Sequence, residues 1–182
     1  MKTAIKTKRI ALRLIDLGDI EKIHQLHSLP EVDRYNTLGI PESIEQTIQI
    51  VQQLITANLN GEKFSFTANL NTTNTFVGIV GISLGKPKYK SAEIWFKYLP
   101  EQWGKGIATE VLLELIDYCF VHLKLHRIEA GCAINNIGSI NVLEKAGMVL
   151  EGHRRKTLPL KEGWSDNYEY AILKEDWLKN KE

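Results

Sequence analysis

The chain has 182 residues, 43% of them hydrophobic and 25% charged, with a formal net charge of +1. That length suits one domain spanning residues 1–182 and a core that needs no covalent staples; the composition excludes disordered and fibrous classes. The near-neutral charge names neither nucleic acid nor a membrane as main partner, and no apolar run approaches the roughly 20 residues that a membrane span needs.

The start, Met1-Lys2-Thr3, carries no apolar leader segment. Residues 8–14 follow, alternating with Ile10, Leu12 and Leu14 on one side, which reads as a half-buried strand. Asp19 is placed to open an amphipathic helix whose face carries Ile20, Ile23, Leu26 and His27. Pro30 and Pro41 bracket a loop. Ser43 with Gln46 three residues on resembles a capping box, and Ile44, Ile48, Val51 and Ile55 continue at helical spacing until Gly61. Three strands come next, at 64–69, 76–84 and 92–99, with Pro100 ending the last. A glycine-rich turn from Trp103 leads into a helix from Ala108 to about Leu123. A strand at 127–133, a helix from Asn136 to about Ala146 stopped by Gly147, and strands at 148–154 and 168–173 complete the chain. Trp164 and Asp166 fall in the loop between those last two strands.

The predicted order is β-α-α-β-β-β-α-β-α-β-β. Three consecutive strands imply an antiparallel meander, and the crossover after Pro100 implies a parallel pair in the same sheet. The fold class is therefore α/β (α+β mixed), a mixed sheet flanked by helices.

Few other constellations carry chemistry. Cys119 and Cys132 have no metal-ligand neighbours, which implies reduced, buried thiols and a cytoplasmic protein. His122 and His126 lack the glutamate between them that a metal-binding helix brings, so the pair reads as a helix end and no metal site is expected.

The informative stretch is Trp103-Gly104-Lys105-Gly106-Ile107-Ala108-Thr109, between a strand end and a helix start. Free N–H groups and the helix dipole make such a place an anion site, and glycines allow close backbone approach, so a phosphorylated ligand is expected here. A plain strand-to-helix turn remains the alternative. The dinucleotide fingerprint lacks its third glycine, and a Walker A loop lacks its upstream glycine and its Ser/Thr.

The longer run from Ala92 to Glu110 resembles the acetyl-CoA signature of GNAT acetyltransferases, with Trp103, Gly106 and Ala108 at the positions of Q/R-x-x-G-x-G/A. The tryptophan is similar to the RimJ/RimL-type branch, which acetylates ribosomal-protein N-termini. Residues 136–148 resemble that branch's N-x-x-S-x-x-V-L-E-K-x-G-F, with Met148 replacing Phe. Glu151-Gly152, Gly163 to Asp166 and Tyr170 to Trp177 resemble its closing hairpin, with Asp176 where a Glu is usual.

The resemblance implies a GNAT fold, a mostly antiparallel sheet whose central parallel strands splay, and a direct transfer of acetyl from acetyl-CoA to an amine. It implies that Phe96, Lys97 and Tyr98 supply backbone groups to the pantetheine arm and that Trp103, Gly104, Lys105, Gly106, Ile107, Ala108 and Thr109 cradle the pyrophosphate. Asn136 and Ser139 would contribute from the next helix. Ser139 would assist the departing thiolate, and Lys145 would reach the adenosine 3′-phosphate. Glu93 is the implied general base, with a water chain as the alternative, and an N–H near Phe96 or Lys97 the oxyanion donor. Plain readings stand beside these: strand packing for Phe96 and Tyr98, N-capping for Asn136, a backbone-bonded helix serine for Ser139, a strand carboxylate for Glu93, a surface lysine for Lys145. Cys132 is not needed as a nucleophile. The acceptor, a protein N-terminus or a small amine, would enter between residues 30–41 (Glu31, Asp33, Tyr35, Asn36) and 156–167 (Trp164, Asp166). Homodimers are common among such proteins; a non-catalytic acetyl-CoA-binding module is the reading from another class.

Overall fold

The computed structural model describes residues 4–179 and 181. Met1, Lys2 and Thr3, on which the leader-segment expectation rests, lie outside them. One eight-stranded sheet runs through the molecule in the order β1-β2-β3-β4-β5-β6-β8-β7. Its strands are β1 (Ala4–Lys6), β2 (Ile10–Leu14), β3 (Lys63–Leu70), β4 (Phe76–Leu84), β5 (Ser91–Tyr98), β6 (Arg127–Ala133), β7 (Val149–Leu160) and β8 (Gly163–Leu173). The helices are α1 (Ile20–His27), α2 (Pro30–Asp33), α3 (Ile44–Asn60), α4 (Ile107–Val121), α5 (Ile137–Lys145) and α6 (Lys174–Lys179). Every neighbouring pair is antiparallel except β5 and β6, which are parallel. The mixed sheet expected from the sequence is the one observed.

Two apolar layers cover the sheet. The larger contains Val111, Leu115, Ile116 and Phe120 of α4 and Leu143 of α5 packed on Phe66, Ile82, Ile94 and Ile128. The smaller joins Ile23 and Leu26 of α1 and Val51 of α3 to Ile79, with Trp95 and Leu99 packed against it. Glycines on β4 allow its close approach to β5: a Cβ at Gly81 would stand 2.3 Å from the Trp95 ring, and one at Gly78 would stand 2.3 Å from the Lys97 carbonyl oxygen.

Several local outcomes differ from the sequence reading. Asp19 does not cap α1; it is fully buried and paired to Arg13 at 2.5 Å, while Asp16 caps the short turn at 17–19. Ser43 caps α3 by accepting from the Gln46 N–H, but the Gln46 side chain accepts from Glu42 N–H, so the reciprocal half of the box is displaced by one residue. The Pro30–Pro41 segment contains α2, which a proline at its first turn favours. The largest difference is the C-terminal hairpin. Residues 156–167, expected to be loop, continue β7 and β8 as a long ladder with a bulge between Arg154 and Leu158. Most of that extension is solvent-exposed, so it has no apolar alternation to announce it. Cross-strand polar bonds hold it instead: His153 Nε2 to Asp166 at 2.7 Å, Lys156 N–H to Asp166 at 2.9 Å and Arg154 to Glu169 at 2.9 Å.

Candidate active site

The site begins with a ladder that stops. β5 and β6 pair only over Ser91–Glu93 and Arg127–Glu129. Beyond Glu93 each strand keeps its outer partner, β5 with β4 and β6 with β8, so the two facing edges diverge. An open edge inside a sheet leaves backbone donors and acceptors without partners, a costly state unless a ligand or water takes them. On β5 the facing groups can be assigned. The Leu99 N–H reaches the Val77 carbonyl, and the alternation of an antiparallel ladder then turns the N–H and C=O of Phe96 toward the gap and those of Lys97 toward β4. Tyr98 also faces the gap, but its carbonyl already accepts from the Trp103 indole N–H at 2.8 Å. Lys97 is therefore placed otherwise than expected: its backbone serves the β4 ladder, and its side chain lies on the α1–α3 face.

At the wide end of the gap, the turn at 100–102 leads into α4. Gly104 (φ 72°) and Gly106 (φ 74°) both occupy the left-handed region, where an L side chain costs about 1–2 kcal/mol. The amides of Ile107, Ala108 and Thr109 are the unpaired donors of the first helical turn. None from Gly104 to Thr109 meets an acceptor in hydrogen-bonding geometry among the described residues. This run of free N–H groups at the positive end of a fifteen-residue helix is suited to a polyanion. The Ile107 side chain itself is buried in the larger core, so only its backbone is offered.

The turn is clasped from the other end of the chain. The Arg9 guanidinium donates to the Lys105 carbonyl at 2.9 Å and to Glu110 at 2.6 Å; Thr7 and the Arg9 N–H also bind Glu110. Burial alone would raise the Glu110 pKa, but the bonds from Thr7 and Arg9 outweigh it and hold the carboxylate below its ordinary range. Glu110 thus sits in the first turn of α4 with its charge turned toward Arg9. Sequence reasoning did not single out Arg9, and no local signal marks it, since the contact is made between residues 9 and 105–110.

Lys145 is exposed in the last turn of α5 and lines an open groove of about 530 Å³ with Gly106, Thr109 and Leu113. The fold therefore brings three of the sequence-predicted residues to one groove from two helices. Asn136 caps α5, its side-chain oxygen accepting from the Ser139 N–H at 3.1 Å. The plain capping role is thus observed. Ser139 is half-buried, and among the described residues nothing hydrogen-bonds its hydroxyl.

Glu93 is exposed at the narrow end of the gap, in register with Glu129. Its side chain shares a face with Trp95 and Lys97, whereas Ile94, Phe96 and Tyr98 face α4 and α5. Glu93 and Ser139 thus stand on opposite sides of the sheet. Tyr98 is buried with its phenol unpartnered, which pushes its pKa up by burial. Cys119 and Cys132 are both buried; burial pushes Cys119 up to about 12 and Cys132 up to about 11, so neither is a ready thiolate.

On the Glu93 side, three polar side chains crowd β5. His27 is 3% exposed and neither ring nitrogen has a partner; Asp33 is 6% exposed with one oxygen unpartnered. Burial first, then the charges of Lys97 and His24, lower His27 to about 4; burial lowers Lys97 to about 8 against the opposing pull of Asp33. The expected opposite wall is less available. Both Asp166 oxygens are engaged inside the hairpin, by Lys156 N–H and His153, which keep its pKa low. Trp164 remains 60% exposed. Among the described residues no group of three His, Cys, Asp or Glu is placed to hold a metal ion, and no helix is long and apolar enough to cross a membrane.

Comparison with known proteins agrees on one family. The family model described as an acetyltransferase (GNAT) domain matches residues 9–149. The chain is 30% identical over 171 residues to the uncharacterized N-acetyltransferase p20 of Bacillus licheniformis, covering 94% of this chain and 96% of that one. It is 26% identical to the spermidine N(1)-acetyltransferase of Vibrio cholerae, covering 96% and 98%. The crystal structure of a GNAT-family acetyltransferase from Bacillus anthracis superposes with a TM-score of 0.83 at 32% identity, covering 94% and 99%.

Proposed function

The chain belongs to the GNAT acetyltransferase family, and on that premise we propose that its amine acceptor is a protein N-terminus, which enters from the α1–α3 face and attacks the thioester directly. The protein is an N-acetyltransferase, and acetyl-CoA is its cosubstrate, as coenzyme A complexes of the same fold support. The observation that carries the site is the continuity between the free amides at 104–109 and the open β5 edge. A pyrophosphate held on those amides would send a pantetheine arm along Phe96 toward the narrow end, where Glu93 stands. The open strand edges and the free N–H groups fit such a molecule, one part apolar and amide-bearing, the other anionic.

In the proposed step the acceptor nitrogen attacks the thioester carbonyl. A C–N bond forms, the C–S bond breaks, and the amine gives up a proton to Glu93, directly or through water. The Ser139 hydroxyl, free of intramolecular bonds, hydrogen-bonds the departing thiolate from the α5 side and relays a proton to it. The Phe96 N–H, turned to the gap, would meet the oxyanion. The opposite placement of Glu93 and Ser139 suits this division, since one group handles the entering amine and the other the leaving sulfur. The buried, protonated state of both cysteines supports direct attack rather than an acyl-enzyme.

For the acceptor, the RimJ/RimL-type reading is supported by Trp103, by Asn136 with Ser139, and by fold likeness to a ribosomal L7/L12 α-N-protein acetyltransferase, RimL (TM-score 0.85, 21% identity). An α-amine is also the easier nucleophile at neutral pH, because its ordinary pKa near 8 leaves more of it unprotonated than a side-chain amine. Small-amine acceptors are the second reading, favoured by the names of two relatives, for spermidine and for L-amino acids. The domain extent proposed is the whole chain, and homodimerisation is left as part of the family proposal.

The test is coenzyme A release, followed as free thiol, with peptides starting in Ala or Ser, spermidine, an aminoglycoside and free amino acids. Release with the peptides, reduced on the order of 100-fold in kcat by Ser139→Ala while acetyl-CoA affinity is retained, is the expected result. Acetyl-CoA binding without turnover of any amine would favour a non-catalytic module; failure to bind acetyl-CoA would defeat the site.

A further inference from the structure

Lys97 is the one lysine among the described residues that is not solvent-exposed. Its ammonium forms no hydrogen bond and no ion pair within 4.0 Å among them. The other half-buried cations behave differently: Arg13 pairs with Asp16 and Asp19, and Arg127 pairs with Glu129 and Glu151. A cation taken out of water without a close counterion is a standing cost, and it falls when an anion arrives.

The neighbours of Lys97 are also incomplete. Asp33 and His27 are each more than nine-tenths buried, and each carries polar atoms with no partner. Both come from the α1–α2 corner: the Asp33 charge favours the Lys97 ammonium, and the Lys97 charge disfavours protonation of His27. Asp33 is near enough to favour the ammonium form but not near enough to pair with it. Three unsatisfied polar side chains thus converge on the face of β5 that Glu93 shares, two residues beyond Trp95. Buried polar groups are nearly always hydrogen-bonded, so the vacant valences call for a ligand with polar groups of its own.

We infer that Lys97 is a specificity-determining residue that receives a carboxylate carried by the acceptor a few bonds from its reacting amine, with a His27 ring N–H donating to the same group and Asp33 accepting from an N–H of the acceptor. This inference rests on the proposed entry of the acceptor on the α1–α3 face. It selects, among amines, those with a nearby acid: a free amino acid, or a peptide with an acidic residue next to its N-terminus. It disfavours polyamines, because a second ammonium placed beside Lys97 meets a like charge in a partly dry setting.

The experiment uses the full chain and compares kcat/KM for matched acceptors: the peptides Ala-Asp-Ala-amide and Ala-Asn-Ala-amide, alanine and alanine amide, and spermidine. A charge-assisted bond to Lys97 should favour each acid over its amide by about 10- to 100-fold. Lys97→Met keeps the aliphatic stem and should bring that ratio close to one, mainly through KM. Lys97→Glu should reverse it and improve spermidine. Retained acetyl-CoA affinity in both variants shows that the fold and donor site stand. Turnover with equal use of acid and amide, or a ratio unmoved by Lys97→Met, overturns the inference while leaving the proposed function intact. Should no acceptor turn over, the proposed function fails first, and calorimetric binding of the same pairs to the coenzyme A complex decides about Lys97: equal affinities in the wild type overturn it.

Discussion

The two faces of β5 are built from the same strand and to opposite ends. Toward α4 and α5, alternate residues Ala92, Ile94 and Tyr98 enter a continuous apolar core with Val111, Leu115, Phe120 and Ile128. Toward α1–α3, the intervening residues Glu93, Trp95 and Lys97 meet a much smaller apolar cluster and a corner holding His27 and Asp33 with unpartnered atoms. The first face is closed mainly by apolar packing, with the Tyr98 phenol unpartnered within it, whereas the second gathers the unpartnered atoms of both His27 and Asp33. A strand with period-two alternation can serve stability on one side and recognition on the other, because successive side chains never share a face.

The contrast breaks most visibly from the packed side. Phe120 is 1% exposed and lies 5.4 Å from the Trp177 ring. Phe120→Ala should cost about 3–5 kcal/mol through lost burial and a cavity, read as a lower midpoint in denaturant at unchanged slope. A cost below about 1 kcal/mol would mean that the two faces are not energetically distinct.

The open side predicts a pH effect instead. His27 falls from 6.5 to about 4 on folding, so the folded state stays neutral where the unfolded chain already binds a proton. Above pH 6.5 there is no differential. As pH falls from 6.5 to about 4 the unfolded state is favoured by up to about 3 kcal/mol. Carboxylates held low, such as Glu110 and Asp166, also lose stabilisation as acid is added. The difference between wild type and His27→Leu isolates the imidazole: the variant should lose less stability over that window. Parallel acid-unfolding curves for the two proteins would contradict the burial assigned to His27.

The smallest effect lies where the faces meet the glycine turn before α4. Gly106→Ala places a Cβ 3.6 Å from the Arg9 guanidinium, an ordinary contact, so its cost is the left-handed backbone, about 1–2 kcal/mol. Acetyl-CoA affinity should fall by roughly 5- to 30-fold if the free amides hold the pyrophosphate, and melting should shift by only a few degrees. Unchanged affinity alongside a lowered melting point would move the phosphate site elsewhere.

Much of this was legible in residues close together in the chain. The α4 turn announces itself because glycine torsions, a strand end and a helix start are all local, as are the Asn136 cap and the Gly61 stop. The parallel β5–β6 pair follows from the crossover after Pro100. Less visible were features held by distant contacts or by polar bonds. The hairpin extension at 156–167 carries no apolar period, and its ladder is recognised only when β7 meets β8. Asp19 looks like a cap in sequence and is a buried partner of Arg13 in space.

The chain by itself therefore determined the order of the longer elements, though not the short β1, α2 and α6, together with the mixed sheet and a glycine turn suited to an anion, since these depend on periodicity and on the torsions single residues allow. Tertiary structure alone decided that Lys97 turns its backbone to β4 and its ammonium toward His27 and Asp33. It alone decided that Arg9 clasps Lys105 and Glu110 and that Glu93 and Ser139 stand on opposite sides of the sheet. Those outcomes depend on strand register and on which helix covers which face, quantities that no stretch of sequence contains until the sheet has closed around it.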